Sequence, residues 1–561
     1  MVKMKRVESL LRLAIGVVMV VILNQMAGIF PIRLDLTEEK RYSVTPATRA
    51  LLDDLQETVY VEVYLEGEMP AGFKRLRKAI EETLSQFDYY ADGLIKVDFI
   101  DPSSALNEKA RNEFFRSLIT RGLQPTNLSY KRDGNKTEKL IFPGAIVSYF
   151  GQEYPVTLLK GSQSATAEER LNQSIEGLEY EIANAIRVLA NDRRKTIALI
   201  QGHGEPDSLN LAGLTNALLE KYDVFNVDMS TGEKELGRYD ALIFPKPTTA
   251  FSPTEKYQID QYIMNGGKTL FFVDALRVNM DSASGEGTFA FPYETGLDDM
   301  LFKYGVRINR DYVQDIVCGE YPIVAGNMGD QAQIRMLPWP FFPMVNNFGN
   351  HPIVKNLDAV SMKFVSTIDT VKAEGIEKIP LLKTSQYSMV NQAPVKVAFN
   401  ELRKNLDPER FNHGSKNVSY LLKGEFTSIF KNRILPKGVN KNDFKESGIE
   451  TSILICSDGD MIRNEFSLKD GTPMELGLSP YSQMKFANKD FVMNAVDYML
   501  NDQGLIVSKN KSFAIRPLDK VKIGNEKLKW QLINLVLPIL LLIVYGIVRA
   551  YLRKKKYASF K

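Results

Sequence analysis

Two uncharged apolar runs sit near opposite ends of the chain. Between them the apolar residues recur at the shorter spacings of globular helices and strands. From Leu13 to Phe30 there are eighteen residues without a charge, long enough to cross a bilayer core. Lys3, Lys5 and Arg6 precede the run and Arg12 stands at its edge, so the positive-inside rule places the N-terminus in the cytoplasm. Asn24-Gln-Met-Ala-Gly28 has no small-x-small cleavage pattern, which favours an uncleaved anchor over a removed signal peptide. The second run, Trp530 to Val548, has nineteen residues without a charge, with Trp530 and Tyr545 as interfacial aromatics. Pro538 is tolerable in a membrane helix. Arg549, Arg553, Lys554, Lys555, Lys556 and Lys561 follow and place the C-terminus in the cytoplasm too. Lys520, Lys522, Lys527 and Lys529 precede the span, but they end a long loop, and long loops translocate largely regardless of charge. The pattern therefore predicts a cytoplasmic N-terminus (1–12), a first transmembrane helix (13–30), an exported middle, a second transmembrane helix (530–548) and a basic cytoplasmic tail (549–561), in a bacterial inner membrane with the bulk periplasmic.

The exported part opens with an α/β pattern over 31–190. Thr45-Pro46 reads as an N-cap and first-turn proline, starting a helix through Leu55. Thr58–Leu65 is rich in β-branched and aromatic residues and reads as a strand. Leu76, Ile80, Leu84 and Phe87 have helical spacing. Leu94–Ile100 reads as a second strand, Asn107–Thr120 as a helix, Lys139–Leu159 as a hairpin and Ala167–Ala190 as a long amphipathic helix. That order, β-α-β-α-β-β-α, is the element order of a thioredoxin-like module. It holds no Cys-x-x-Cys, so this region is expected to be a docking or structural module.

Four apolar runs then each end in a polar or glycine-rich turn. Thr196–Ile200 leads into Gln201-Gly202-His203-Gly204-Glu205-Pro206, Tyr239–Phe244 into Pro245-Lys246-Pro247-Thr248, Thr269–Val273 into Asp274, and Ser452–Cys456 into Ser457-Asp458-Gly459-Asp460. Helical patterns over Leu209–Tyr222 and Thr254–Met264 separate the first three. This is the grammar of a buried parallel sheet, of Rossmann or amidotransferase-like type, over 191–279 and 448–515. A large insertion is expected over 280–447, with the aromatic segment Trp339-Pro-Phe-Phe-Pro343, and a polar loop at Lys437–Ser447. Asn488 to Leu500 reads as a helix returning to the sheet. Open parallel sheets bind ligands beyond the strand C-termini, so Gly202, His203, Gly204, Glu205, Asp274, Asp458 and Asp460 are the candidate crevice residues.

The chemistry in those turns is sparse. Glycines after a strand can cradle an anion at a helix start or simply make a tight turn. The aspartates can hold a cation or cap helices. Cys318 and Cys456 are the chain's only cysteines, which excludes a disulfide framework and paired-cysteine zinc sites. Cys456 ends an apolar run and reads as a core thiol. His351 and His413 show no metal spacing, and the sequence implies no cofactor. A net charge of +3 over 561 residues argues against nucleic-acid binding. No Gly-x-x-x-x-Gly-Lys-[Ser/Thr] occurs, so the chain is not an ATPase of the P-loop type.

Several segments together carry a family resemblance. They are Leu34-Asp-Leu-Thr-Glu-Glu-Lys-Arg-Tyr-Ser43 with Thr45-Pro-Ala-Thr48, Gln56–Gly67, Gly202-His-Gly-Glu205, Leu422-Lys-Gly-Glu-Phe-Thr427, Ser457-Asp-Gly-Asp460 and Phe486–Phe491. In these the chain resembles the gliding-motility ABC-transporter auxiliary family GldG of Bacteroidetes, over nearly its whole length. The resemblance implies a complex with a GldF-like ABC permease and a cytoplasmic GldA-like ATPase, and no catalytic residues. The leading expectation is a non-enzymatic, substrate-binding-like auxiliary subunit. A structural scaffold linking the envelope to the motility machinery, or an amidotransferase- or hydrolase-like enzyme built on His203 and Glu205, are the alternatives.

Overall fold

The computed structural model describes residues 14–22, 43–104, 107–132, 135–160, 166–191, 193–232, 235–284, 287–328, 331–399, 406–437, 439, 441–500, 504–510 and 520–557. The chain forms two compact units, 1–511 and 512–561. Of the expected first membrane span, residues 14–22 are helical with mostly exposed side chains; Leu13 and 23–30 lie outside the described residues.

In the first unit, Thr45 caps the helix Pro46–Asp53, as its Thr-Pro signature predicts. Its backbone N–H and hydroxyl both donate to Glu179 Oε1 at 2.7 Å, tying this helix to the long helix Ala167–Ala190. The strand Val59–Val63 runs parallel to Ile95–Phe99 and antiparallel to Gly144–Tyr149, which pairs in turn with Gln152–Thr157. Period-two alternation decides its faces: Val59, Val61 and Val63 are buried while Tyr60 is exposed. The inner face meets Leu76, Ile80, Leu84 and Phe87 of the helix Ala71–Tyr90, and Leu178, Ile182 and Ile186 of Ala167–Ala190. An additional hairpin, Thr126–Arg132 with Asn135–Ile141, precedes the expected one. Its strands carry Lys131, Arg132, Lys136 and Glu138, and no apolar alternation announces it.

The second sheet has eight strands. Five are parallel, and their spatial order is Asp223–Asp228, Thr196–Gln201, Ala241–Pro245, Lys268–Phe272 and Ser447–Cys456. The chain's second strand thus lies outside its first, and the rest follow in sequence. That is the flavodoxin-like order and not the Rossmann one. The difference rests on Asp223–Asp228, a polar edge strand whose Asp-Val-Phe-Asn-Val-Asp composition has no strand signature. Both faces of the sheet are covered, which is why its central strands read as continuous apolar runs. Ile197 and Leu199 pack with Leu214, Leu218, Phe491 and Val496 on one face. Ala198 and Ile200 pack with Ile259 and Ile263 of the helix Pro253–Met264 on the other.

The stretch expected as an insertion supplies the other three strands. Asn417–Thr427 runs antiparallel to Ser447–Cys456, Ile376–Lys383 to Asn417–Thr427, and Asn347–Phe348 to Ile376–Lys383. The rest of 280–447 packs partly on the sheet, with Leu297, Met300 and Leu301 in the core on one face and Ile353, Val354 and Val360 in that on the other, and partly around a separate buried aromatic cluster that includes Trp339, Phe341, Tyr312 and Phe364. The expected loop at Lys437–Ser447 is pinned to the sheet layer: Gln261 accepts from Lys445 N–H at 2.8 Å and donates to its carbonyl at 3.1 Å.

One buried carboxylate joins the two sheets' helices. Asp497, on the helix Asn488–Leu500, accepts from Tyr180 Oη at 2.7 Å, Tyr222 Oη at 2.5 Å and Lys221 Nζ at 2.8 Å, with Arg187 at 3.9 Å. Burial would push its pKa up, but Lys221 and Arg187 outweigh burial and hold it far below the usual carboxylate range. The chain that leaves this helix then docks Leu505 into the core of the first sheet. The second unit is the helix Lys520–Tyr557. Glu526–Lys555 within it is long and apolar enough to cross a membrane and buries none of its apolar window within the protein.

Asp497→Ala would leave Lys221 and Arg187 buried without their anion. It is expected to destabilise the detergent-solubilised full-length protein by about 3–5 kcal/mol, measured by denaturant unfolding. Because the folded pKa is depressed below the unfolded value of about 3.9, the contribution is present above that pH and is lost as pH falls through the folded pKa. The variant should therefore lack part of the wild type's acid destabilisation.

Candidate functional site

All four turns do lie on one edge of the sheet, beyond the C-termini of its parallel strands. There they divide into two groups. In the first, Gly202 and Gly204 have φ of +107° and +74°. A Cβ on Gly202 would sit 2.5 Å from Asp228 Oδ1, and one on Gly204 2.2 Å from Thr248 Oγ1. Both glycines are therefore demanded by close packing in a left-handed backbone. The turn folds on itself: Glu205 Oε2 accepts from His203 N–H at 2.6 Å, and the His203 carbonyl accepts from Thr248 and Thr249 N–H at 2.8 and 2.9 Å. The next helix begins only at Ala212, so the motif does not form an anion cradle at a helix start.

His203 itself is buried. Its ring stacks on Phe251, with centroids 3.6 Å apart. It lies between two carboxylates, with Nδ1 3.7 Å from Glu205 Oε1 and Nε2 3.3 Å from Glu255 Oε2. Burial favours the neutral ring, but the neighbouring Glu205 and Glu255 carboxylates outweigh it and raise the pKa. Glu255 is held in place by its own capping box with Ser252 at the start of Pro253–Met264.

The second group is an ion cluster that ties three strand ends together. Lys246 follows the strand Ala241–Pro245 with φ of +54°, a left-handed conformation costly for a residue with a side chain. Its Nζ lies 2.9 Å from Asp274 Oδ2 and 2.5 Å from Asp460 Oδ2. Asp274 Oδ1 accepts from Gly459 N–H at 2.5 Å. Asp460 Oδ1 also accepts from Arg463 Nη1 at 2.8 Å. Asp458 caps the turn after the last parallel strand, accepting from Asp460 and Met461 N–H, and reaches across to Lys363 N–H at 2.7 Å. Burial raises the pKa of Asp274 despite Lys246. Burial and the neighbouring Asp274 and Asp460 raise that of Asp458 far more. At Asp460 burial is outweighed by Lys246 and Arg463, which lower it. Burial opposes the ammonium of Lys246, and Asp274 and Asp460 overcome it to raise its pKa.

The cation that these carboxylates need is therefore a side chain of the protein. Among the described residues no three His, Cys, Asp or Glu are arranged to hold a metal. The two side chains at the end of the last parallel strand are not presented as nucleophiles. Cys456 is fully buried with its Sγ 3.1 Å from Met461 Sδ, and burial pushes its thiol pKa well up. Ser457 Oγ is buried and donates to the carbonyls of Ser366 and Val418. His351 caps a turn through Nδ1, 3.3 Å from Ile353 N, and burial with nearby Lys423 lowers its pKa to about 4. His413 Nδ1 accepts from Val390 N–H. Lys246 and Glu255 complete both groups, although neither stands out in the sequence as a site residue. Glu255 was legible as a capping box, Ser252-Pro-Thr-Glu255. A single lysine between two prolines has no spacing signature.

With this geometry established, comparison with known proteins is informative. The family model described as an ABC-type uncharacterized transport system matches residues 194–495, more than half of the chain. The chain belongs to this family. Membership associates it with an ABC-type transporter in an auxiliary role. A domain of unknown function, DUF7088, matches residues 38–148, over the first sheet except its edge strand Gln152–Thr157. An uncharacterized protein of Borreliella burgdorferi is 21% identical over 560 residues, covering 97% of this chain and 98% of its own. Among solved structures, the mmIFT52 N-terminal domain is 12% identical, with a TM-score of 0.29 over 55% of this chain and 98% of that one. A putative ThuA-like protein from Parabacteroides merdae is 10% identical, with a TM-score of 0.28 over 55% of this chain and 91% of that one. Similarities that remote carry no functional argument.

Lys246→Met would leave Asp274, Asp458 and Asp460 facing one another without their cation. It is expected to cost about 3–5 kcal/mol at pH 7. In the variant the pKa values of Asp274 and Asp458, already above the unfolded value, rise further, and Asp460 loses the Lys246 contribution that lowers its own, so stability should recover as pH falls toward about 5 and protonation removes the repulsion. Denaturant unfolding of both forms at several pH values checks this.

Proposed function

We propose that the chain is a membrane-anchored, non-enzymatic auxiliary subunit of an ABC transport complex, with its two sheets forming a docking platform outside the cytoplasm. The observation that carries this reading is the family match over the second sheet. Three features support it. The helix Glu526–Lys555 keeps its apolar window exposed, as a lipid-facing segment would, and ends in the basic run Arg553–Lys556 that favours the cytoplasmic side. The expected N-terminal anchor would make the protein two-pass with both termini cytoplasmic. The strand-end edge, where an enzyme or binding protein of this class holds its ligand, is filled by the protein's own ions.

In this reading the first sheet, whose order has the parallel pair at one side and the hairpin at the other, is a thioredoxin-like module without redox chemistry. The partners that the resemblance implies are a permease resembling GldF and an ATPase resembling GldA, and the lack of a Gly-x-x-x-x-Gly-Lys-[Ser/Thr] loop in the chain agrees with a separate ATPase. The resemblance to the GldG family makes gliding over surfaces the process served.

Affinity purification of the tagged full-length protein from its native membrane in mild detergent tests the assignment. A multi-pass permease and an ABC ATPase in fixed ratio are the expected companions. Recovery of the protein alone, or with envelope components only, would remove the transporter reading and favour the scaffold.

A further inference from the structure

The apolar helix of the second unit is not the same on all sides. From Trp530 to Val548 the side chains able to hydrogen-bond are Trp530, Gln531, Asn534 and Tyr545. The Trp530 indole N–H donates to Glu526 Oε2 at 2.9 Å. Gln531 and Asn534 are exposed, and neither amide has a hydrogen-bond partner among the described residues. On the continuous helix Lys520–Tyr557, Gln531, Asn534, Pro538 and Tyr545 fall within an arc of about 60° at 3.6 residues per turn. The opposite side consists of Ile533, Val536, Leu540, Ile543 and Ile547, which match lipid chains.

Pro538 adds a backbone group to this polar seam. It lies inside the helix and has no N–H, so the Asn534 carbonyl, four residues earlier, loses its intrahelical donor. Asn534 stands fifteen residues before Arg549, about 22 Å along the axis at 1.5 Å per residue. With Arg549 at the inner boundary, that depth is inside a hydrocarbon core of about 30 Å. A carboxamide and an open carbonyl have no water to bond there, and a neighbouring helix is what satisfies such groups.

We propose that this seam docks a second copy of the same helix, so that the protein pairs with itself in parallel within the membrane. A carboxamide donates through its nitrogen and accepts through its oxygen, and is therefore complementary to itself. In a parallel pair each seam residue meets its counterpart at equal depth. Asn534 of one protomer donates to the side-chain oxygen or the open carbonyl of Asn534 in its partner, and Gln531 repeats the pairing one turn further from Arg549. The chain thus supplies its own match at the required depth. Lys527 and Arg549 lie on the same side of the helix but at the two ends of the span, where charges are hydrated and screened. The inference rests on the membrane anchor of the reading above and not on the transporter partners.

Disulfide cross-linking tests the pairing. Full-length protein carrying one introduced cysteine is reconstituted in phospholipid vesicles at high lipid excess, floated, and oxidised with copper–phenanthroline; both native cysteines are buried. Gln531→Cys and Tyr545→Cys lie on the seam, and Ile533→Cys and Ile547→Cys, two residues on, sample the other side at matched depth. The seam positions are expected to give about fivefold more covalent dimer than their controls. Adding Asn534→Leu, which keeps the helix apolar and the rest of the chain unchanged, should lower the Tyr545→Cys yield by about fivefold, and Asn534→Gln should retain it. Equal yields on both sides, no dimer at either seam position, or a Tyr545→Cys yield unchanged by Asn534→Leu would overturn the pairing alone. Protein that does not float with the vesicles would overturn the anchor and the pairing together.

Discussion

The sheet's functional edge depends on Lys246. An ammonium held between Asp274 and Asp460 joins the ends of three neighbouring parallel strands, at the place where open α/β folds usually admit a ligand. Three buried carboxylates gathered there without a cation would repel one another across a low-dielectric interior. With Lys246 in place, the same carboxylates become the closure of the edge. The fit is tight: a Cβ on Gly459 would lie 2.5 Å from that of Lys246. The beginning of the edge is closed by different means, with the Gly202–Glu205 turn folded over its own backbone bonds and His203 packed between two acids.

The same logic of buried charge binds the two halves of the first unit. Asp497 gathers hydroxyls and cations from the helix Ala167–Ala190 and from Lys221 and Tyr222 beyond Ala212–Leu219. Leu505, past the final helix, sits in the first sheet's core. The N-terminal module is thereby fixed to the sheet domain on both a polar and an apolar contact. A protein whose buried charges at Lys246 and Asp497 are paired internally has the character of a rigid platform, which suits a subunit that positions others.

Much of this was legible in the sequence where burial is one-sided or complete. Leu76, Ile80, Leu84 and Phe87 give the helix Ala71–Tyr90 its spacing, and the apolar runs ending at Gln201, Pro245, Phe272 and Cys456 are the central parallel strands. The strand Asp223–Asp228 was not legible, because an edge strand with one face in water can carry aspartate and asparagine. The three antiparallel strands from 347 to 427 were hidden in what looks like an insertion, since their partners lie far away in sequence. At the site, the turns and their shared edge follow from strand polarity alone. Their closure does not, because it depends on one left-handed lysine whose partners come from Asp274 and Asp460.

Hydrogen–deuterium exchange on the full-length protein in mild detergent tests that closure most directly. If the edge is sealed, the amides of His203, Thr248, Thr249, Gly459, Asp460 and Met461, all hydrogen-bonded, exchange as slowly as the central strands, in the range set by global opening. Exchange of these segments at the rate of exposed loops would show an open crevice, and the account of a self-filled platform would be wrong.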